Sequence, residues 1–129
     1  MTLTTVGSGS SGNCYVLQDE NEALVIEAGM KLIEAKKALG WNIAKVVGCL
    51  ISHSHNDHAG YAKDYEEAGF HLLALPEVIQ AKRLTAAKPI TIGKRYRMGG
   101  FDILPFPVMH DVPCVGFIIT HKDTGRILF

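Results

Sequence analysis

The chain has 129 residues, of which 47% are hydrophobic and 20% are charged. This length suffices for one hydrophobic core and gives no argument for two domains. Thirteen basic residues balance thirteen acidic ones, so no overall charge would by itself attract nucleic acid. No apolar run approaches the roughly 20 residues of a membrane helix, and the polar N-terminus is unlike a signal peptide. We therefore expect a cytoplasmic protein without membrane contact.

The first third of the chain predicts a β-meander followed by a helix. Strands are expected at residues 3–6, 14–17 and 23–26, because apolar and β-branched residues there are separated by Gly, Ser, Asp and Asn. Residues 30–39 place their apolar side chains mostly on one side, and Gly40 is a typical residue after the end of a helix. The pattern therefore predicts an amphipathic helix at 30–39.

Strands and helices alternate in the middle of the chain. The short apolar run at 46–52 indicates a strand buried on both faces. A helix at 60–68, a strand at 70–75 and a helix at 76–86 follow, the last with Pro76 in its first turn. The remaining segments are strand-like, with a turn at Asp123-Thr124-Gly125; they are 90–92, 101–109, 115–121 and 126–129.

The three cysteines predict packing rather than disulfide or metal chemistry. Cys14, Cys49 and Cys114 are odd in number, widely spaced and set in apolar segments. Free cysteine in such a setting is most often a small buried hydrophobic residue.

The segment after the predicted buried strand concentrates residues that bind divalent transition metals. His53, His55, Asp57 and His58 fall within six residues, and imidazole and carboxylate are ligands for such ions. On a helix, residues two apart point about 200° away from each other, whereas in extended backbone both face the same side. His53 and His55 therefore converge only if the segment continues a strand, as it does here.

The pattern His-x-His-x-Asp-His at 53–58 resembles the metallo-β-lactamase superfamily. The Gly/Ser-rich stretch at 7–15, the segment at 25–29 and Met109-His110-Asp111 are similar to its cytosolic phosphodiesterase and exonuclease-like members. The resemblance implies an α/β fold, the αββα sandwich of this superfamily. Residues 1–129 are expected to form one such domain, truncated at the C-terminus to the first half of the sandwich.

The resemblance also implies roles for individual residues. His53, His55 and His110 would hold one metal, with Zn²⁺ favoured and Mn²⁺ or Fe²⁺ as alternatives, while Asp57 and His58 would contribute to a second. A bound divalent ion acidifies water and polarises a phosphoryl oxygen, and Asp57 is the candidate to orient or deprotonate that water. The resemblance therefore implies a hydrolase, with a phosphodiesterase or nuclease acting on a phosphodiester or nucleic acid as the expected type.

Two departures from the family pattern bear on activity. Glu27 stands where relatives usually have Asp, so we expect the contact made from this position to be displaced. The family's bridging carboxylate and last histidine ligand would follow Phe129. We therefore expect at most one firmly bound metal and impaired activity. The uncovered sheet of a half-sandwich further predicts a homo-oligomer.

Several alternatives stay open at this point. The chain would be a phosphodiesterase, a truncated non-catalytic module for metal binding or assembly, or a hydrolase of thioesterase or lactonase type. The Gly/Ser loop at 7–13 lines an anion pocket or merely connects a hairpin, and it lacks the Lys of a P-loop. His71 and His121 are expected to be structural, and the cluster at 95–97 is expected to be a solvated face rather than a nucleic-acid contact.

Overall fold

The computed structural model describes residues 1–122 and 125–129, with the main chain alone for residues 127 and 128. Asp123 and Thr124 of the predicted turn lie outside the described residues. In chain order, the elements are β1 Thr2–Gly7, β2 Cys14–Gln18, β3 Ala23–Ile26, α1 Leu32–Ala38, a 3₁₀ turn Ile43–Lys45, β4 Val46–Leu50, α2 Asn56–Ala59, α3 Ala62–Glu67, β5 Leu72–Ala74, α4 Pro76–Ala81, β6 Lys88–Pro89, β7 Tyr96–Met98, β8 Phe101–Pro107, β9 Val115–His121 and β10 Gly125–Leu128.

The strands form a six-stranded sheet in the order β1-β2-β3-β4-β5-β6 and a four-stranded sheet in the order β10-β9-β8-β7. The predicted meander is confirmed, because β1 pairs with β2 and β2 with β3 in antiparallel fashion. Strand β4 lies parallel to both β3 and β5. The carboxyl ends of β3 and β4 therefore meet at one edge of the larger sheet, where residues following either strand come close together.

Both sheets contribute to one hydrophobic core. Leu24, Ile26 and Leu50 from the larger sheet belong to the same buried cluster as Phe117 and Ile119 from the smaller. A side-chain contact also links the sheets, since Nε2 of the buried His121 lies 2.8 Å from Oε1 of Glu22, just before β3. His121 thus has the structural role expected of it. No helix in the described ranges is long and apolar enough to cross a bilayer.

Two predicted helices have different bounds because contacts from other parts of the chain compete for their amides. The helix expected at 60–68 runs from Ala62 to Glu67, and a separate short helix, Asn56–Ala59, precedes it. The two are separated where the amide of Tyr61 donates to the carbonyl of Ala28. The helix expected at 76–86 ends at Ala81, because the buried Glu66 carboxylate accepts the amide protons of Thr85 and Ala86.

The strand expected at 90–92 was also wrong. The pairing with β5 occurs at Lys88–Pro89 instead, and the amide of Thr91 donates to the Tyr96 hydroxyl at 2.8 Å. The cluster at 95–97 proves to contain most of β7. Because Tyr96 is buried, its ring is not available to stack on a nucleobase.

Candidate metal centre

Four histidines gather where β3 and β4 end. Glu27 directly follows β3, the segment from Ser52 to His58 follows β4, and His110 comes from the loop after β8 in the other sheet. The extended backbone after β4 carries His53 and His55 to the same place, with their ring centroids 5.0 Å apart. The ring of His110 lies 4.5 Å from that of His53 and 5.0 Å from that of His55.

His53, His55 and His110 are arranged as a metal site requires. Each offers a ring nitrogen, and these atoms all lie within 4.8 Å of one another. Three histidine ligands are a common set for catalytic zinc, since they leave a fourth position for water or substrate. The three residues named from the sequence as holders of one metal are thus brought together.

The partners of these rings indicate which nitrogens remain for a metal. Nδ1 of His53 lies 2.7 Å from the Ser52 hydroxyl, and Nδ1 of His110 contacts the Asp111 carboxylate. The other oxygen of Asp111 lies 3.5 Å from Nε2 of His55. Nε2 of His53, Nε2 of His110 and Nδ1 of His55 are therefore the nitrogens left to bind an ion. Such outer partners orient metal-binding imidazoles.

The electrostatics of the cluster also favour metal binding. Burial, together with the neighbouring His58, His110 and His55, lowers the pKa of His53 to about 4. This imidazole is therefore neutral at pH 7, with its lone pair available to a cation.

Asp57 and His58, expected to serve a second metal, lie directly beside the three histidines. The ring centroid of His58 is 4.1 Å from that of His53, and Oδ2 of Asp57 is 3.6 Å from Nε2 of His58. The main-chain carbonyl of Asp57 accepts bonds from the amide and side chain of the buried Asn13, at 2.6 and 3.0 Å. The backbone of Asp57 is thus anchored, while its partly exposed carboxylate faces His58.

Glu27, for which a displaced contact was expected, reaches the metal centre with its side chain. The carboxylate is 1% exposed and accepts bonds from the amide and hydroxyl of Ser52, both at 2.7 Å. It also contacts Nδ1 of His58. One buried carboxylate therefore holds His58 directly and His53 through Ser52. The hydrogen bond with Glu27 is the main reason that the pKa of His58 is raised.

Glu27, His53 and His58 form a second group whose ligand atoms lie within 4.8 Å of one another. In this group, however, Glu27 already contacts Nδ1 of His58 directly. We therefore assign Glu27 the role of orienting the histidines and keep His53, His55 and His110 as the metal ligands. The sequence signal for Glu27 was its place at the end of β3. Ser52 directly precedes the motif, and Asn13 lies in the Gly/Ser-rich stretch at 7–15 that is similar to the family.

The prediction that all three cysteines are packed inside was wrong for Cys114. Cys14 and Cys49 are buried, whereas Cys114 is only partly buried. Its Sγ lies 3.5 Å from Nδ1 of His53, at the border of the metal centre. The turn before β9 carries it there, since Val115 donates its amide proton to the carbonyl of Ser52. Burial raises the pKa of the Cys114 thiol.

Comparison with known proteins decides the family. The sequence profile of the metallo-beta-lactamase superfamily matches residues 7–116, most of the chain. The chain belongs to the metallo-β-lactamase superfamily. Its fold is accordingly the mixed α/β fold predicted from the resemblance, and proteins of this superfamily bind divalent metals.

A curated relative aligns with nearly the whole chain, whereas the chain spans only about half of that relative. The chain is 29% identical over 131 residues to exodeoxyribonuclease WalJ of Streptococcus pneumoniae, in strains D39 and R6, with 92% of this chain aligned. It spans about half of that relative's length, 49%.

Solved structures agree on the fold. The metallo-beta-lactamase fold protein YhfI from Bacillus subtilis superposes with a TM-score of 0.76 at 21% identity, over 98% of this chain and 60% of that protein. MEM-A1, a subclass B3 metallo-beta-lactamase from a soil metagenome library, gives a TM-score of 0.77 at 15% identity, over 98% and 59%. At such identities these likenesses concern the fold alone.

Proposed function

We propose that the chain carries the metal-binding half of a hydrolase that cleaves phosphodiesters, with nucleic acid as the substrate class. The observation that carries the proposal is the convergence of His53, His55 and His110 beside Asp57. The similarity to an exodeoxyribonuclease supports the nuclease reading over thioester or lactone hydrolysis.

The residues divide the work as follows. His53, His55 and His110 would hold a divalent metal, with zinc favoured by the three imidazoles; such an ion polarises a phosphoryl oxygen and acidifies water. The Asp57 carboxylate, 3.6 Å from Nε2 of His58, orients the attacking water and accepts its proton. Glu27 holds the imidazoles of His58 and His53 in place.

The test is hydrolysis of bis(4-nitrophenyl) phosphate by the 129-residue chain with added Zn²⁺ or Mn²⁺. We expect metal-dependent turnover that falls at least about a hundredfold in His55→Ala, because loss of a ligand removes the ion on which the chemistry depends. His71→Ala is the matched control, since His71 is exposed and lies outside the cluster. A parent chain without metal-dependent turnover would favour a non-catalytic binding module, and equal turnover by the parent chain and His55→Ala would contradict the role of the metal ligands.

A cytoplasmic location is part of the proposal. Cys14, Cys49 and Cys114 are all free thiols, as is usual for proteins of a reducing compartment.

We further propose that the chain forms a homo-oligomer through the smaller sheet. Leu104, Phe106 and Ile118 alternate with the buried residues of β8 and β9, so they face away from the core and stay partly exposed. Strand β10 lies at the edge of the same sheet. An apolar face with an open edge favours association.

Sedimentation at micromolar concentration is expected to show a dimer or larger species. Leu104→Glu should shift it toward monomer, because a charge would be buried in the interface. The control is Leu3→Glu, at a half-exposed position of the other sheet. A parent chain that sediments as a monomer contradicts the proposal.

A further inference from the structure

A polar pocket adjoins the metal centre on the side of Asp57. Its volume is about 410 Å³, and its lining residues are Ser10, Ser11, Gly29, Asn56, Asp57, Gly60 and Tyr61. Asp57 thus belongs both to the metal centre and to the wall of this pocket. The volume is within the range of small-molecule sites. If the reacting phosphodiester of a substrate is bound at the three histidines, a neighbouring group of the same substrate would lie in this pocket.

The Gly/Ser loop is fixed against this pocket by Asn13. The side chain of Asn13 accepts a bond from the amide of Gly9 at 3.1 Å and donates to the carbonyl of Gly9 at 2.9 Å. The main-chain amide of Asn13 donates to the main-chain carbonyl of Asp57 at 2.6 Å. The loop is therefore tied to Asp57 through Gly9 and Asn13, and Ser10 and Ser11 between them border the same pocket as Asp57.

The loop presents hydrogen-bonding groups that the protein itself does not use. Ser10 and Ser11 are exposed, and within the described part of the chain neither hydroxyl is engaged in a hydrogen bond. Gly29 keeps the space between the loop and Asp57 narrow, because a Cβ there would lie 1.9 Å from the carbonyl oxygen of Asp57. Two hydroxyls that border one pocket are suited to donate to an anionic oxygen.

A positive charge reaches the same pocket from another element. Lys82, which directly follows α4, donates from Nζ to Oδ1 of Asn56 at 2.6 Å. This contact leaves the NH₂ group of the Asn56 amide for a ligand and places an ammonium group at the pocket rim. The Lys that the Gly/Ser loop lacks is thus supplied by a residue about 70 positions later in the chain.

We propose that Ser10, Ser11, Asn56 and Lys82 form a subsite for the phosphate of the nucleotide adjacent to the scissile phosphodiester. The inference rests on the proposed function, because it assumes that the reacting group lies over the three histidines. Donor hydroxyls, an amide NH₂ and an ammonium group match the acceptor oxygens and the charge of a phosphate. The subsite would make the protein prefer substrates with at least two phosphates over a lone diester.

The test compares nucleotide substrates that differ by a single phosphate. Thymidine carrying a 4-nitrophenyl phosphate at one of its two hydroxyls is assayed with and without a phosphate at the other, in both isomers. We expect the second phosphate to lower KM about fivefold to tenfold in one isomer, the size of one ordinary solvent-exposed hydrogen bond. In Ser10→Ala/Ser11→Ala and in Lys82→Met, the ratio of the two KM values should fall toward one.

Ser8→Ala and Lys122→Met are the matched controls, since both residues are exposed and neither lines the pocket. They should keep the parent ratio. The proposed subsite is wrong if the two KM values of the parent chain are equal in both isomers. It is also wrong if the two pocket variants leave the parent ratio of KM values unchanged. If no substrate is hydrolysed, the proposed function fails by itself, and calorimetry decides about the subsite. Thymidine 3′,5′-bisphosphate must then bind more tightly than both monophosphates, and the pocket variants must lose the difference.

Discussion

After dialysis against metal-free buffer, the zinc-loaded chain is expected to retain one ion, and His110→Ala is expected to retain none. His53, His55 and His110 present three ring nitrogens within 4.8 Å of one another. In His110→Ala, only His53 and His55 remain, with the solvent-exposed Asp111 as a third donor. This set holds an ion much more weakly than three converging imidazoles. Plasma emission spectrometry of the dialysed protein gives the stoichiometry, and competition with a chromophoric chelator gives the affinity, which should fall at least about a hundredfold.

We expect one retained ion per chain because the second metal position has few ligands from the protein. Asp57 and His58 lie next to each other, with Oδ2 and Nε2 3.6 Å apart, but two ligands from the chain leave most of a coordination shell to water. His71→Ala should keep the full affinity and serves as the control. Two tightly held ions per chain would show that the count is wrong, unless a partner subunit completes the second position.

Local patterns were sufficient to predict most of the larger sheet. Strands β2, β3 and β4 are buried and bounded by turn residues, so that their apolar runs are visible in the sequence. Errors arose where distant groups compete for backbone amides. Glu66 ends the helix after Pro76 by binding the amides of Thr85 and Ala86, and the hydroxyl of Tyr96 takes the amide of Thr91. Neither contact can be read from local periodicity.

The candidate site shows the same division. His53, His55, Asp57 and His58 could be named because four residues of metal-binding type follow one strand, and His110 was found only through resemblance to the family. The side chains that orient them belong to other segments. Glu27 follows the neighbouring parallel strand. Asn13 binds the main-chain carbonyl of Asp57, which lies 44 positions later in the chain. Such partners depend on sheet topology, which a single sequence does not reveal.

The orienting role of Glu27 has a consequence for metal affinity that is smaller than that of a ligand but still large. In Glu27→Gln, an amide would replace the carboxylate that contacts Ser52 and His58. One end of this amide is itself a donor, so it would oppose one of these donors inside the protein. We expect a loss of about 1–3 kcal/mol in the free energy of unfolding and a tenfold to hundredfold weaker zinc affinity, roughly the range for lost outer partners of metal ligands.

Glu27→Asp separates orientation from simple stability. Glu27 has a φ of 71°, a conformation that Asp adopts more readily than most residues, so the backbone of this variant is not strained. Its charge is kept, and its zinc affinity should lie nearer the parent than that of Glu27→Gln.

The readout specific to orientation is the His58 ring itself. Because the bond with Glu27 raises the pKa of His58, nitrogen-15 NMR of the metal-free protein should show that pKa falling in Glu27→Gln and staying raised in Glu27→Asp. A Glu27→Gln variant with parental zinc affinity and an unchanged His58 titration would contradict the role, even if its unfolding free energy had dropped. A merely structural carboxylate affects stability alone, whereas an orienting one must also change the imidazole that it holds.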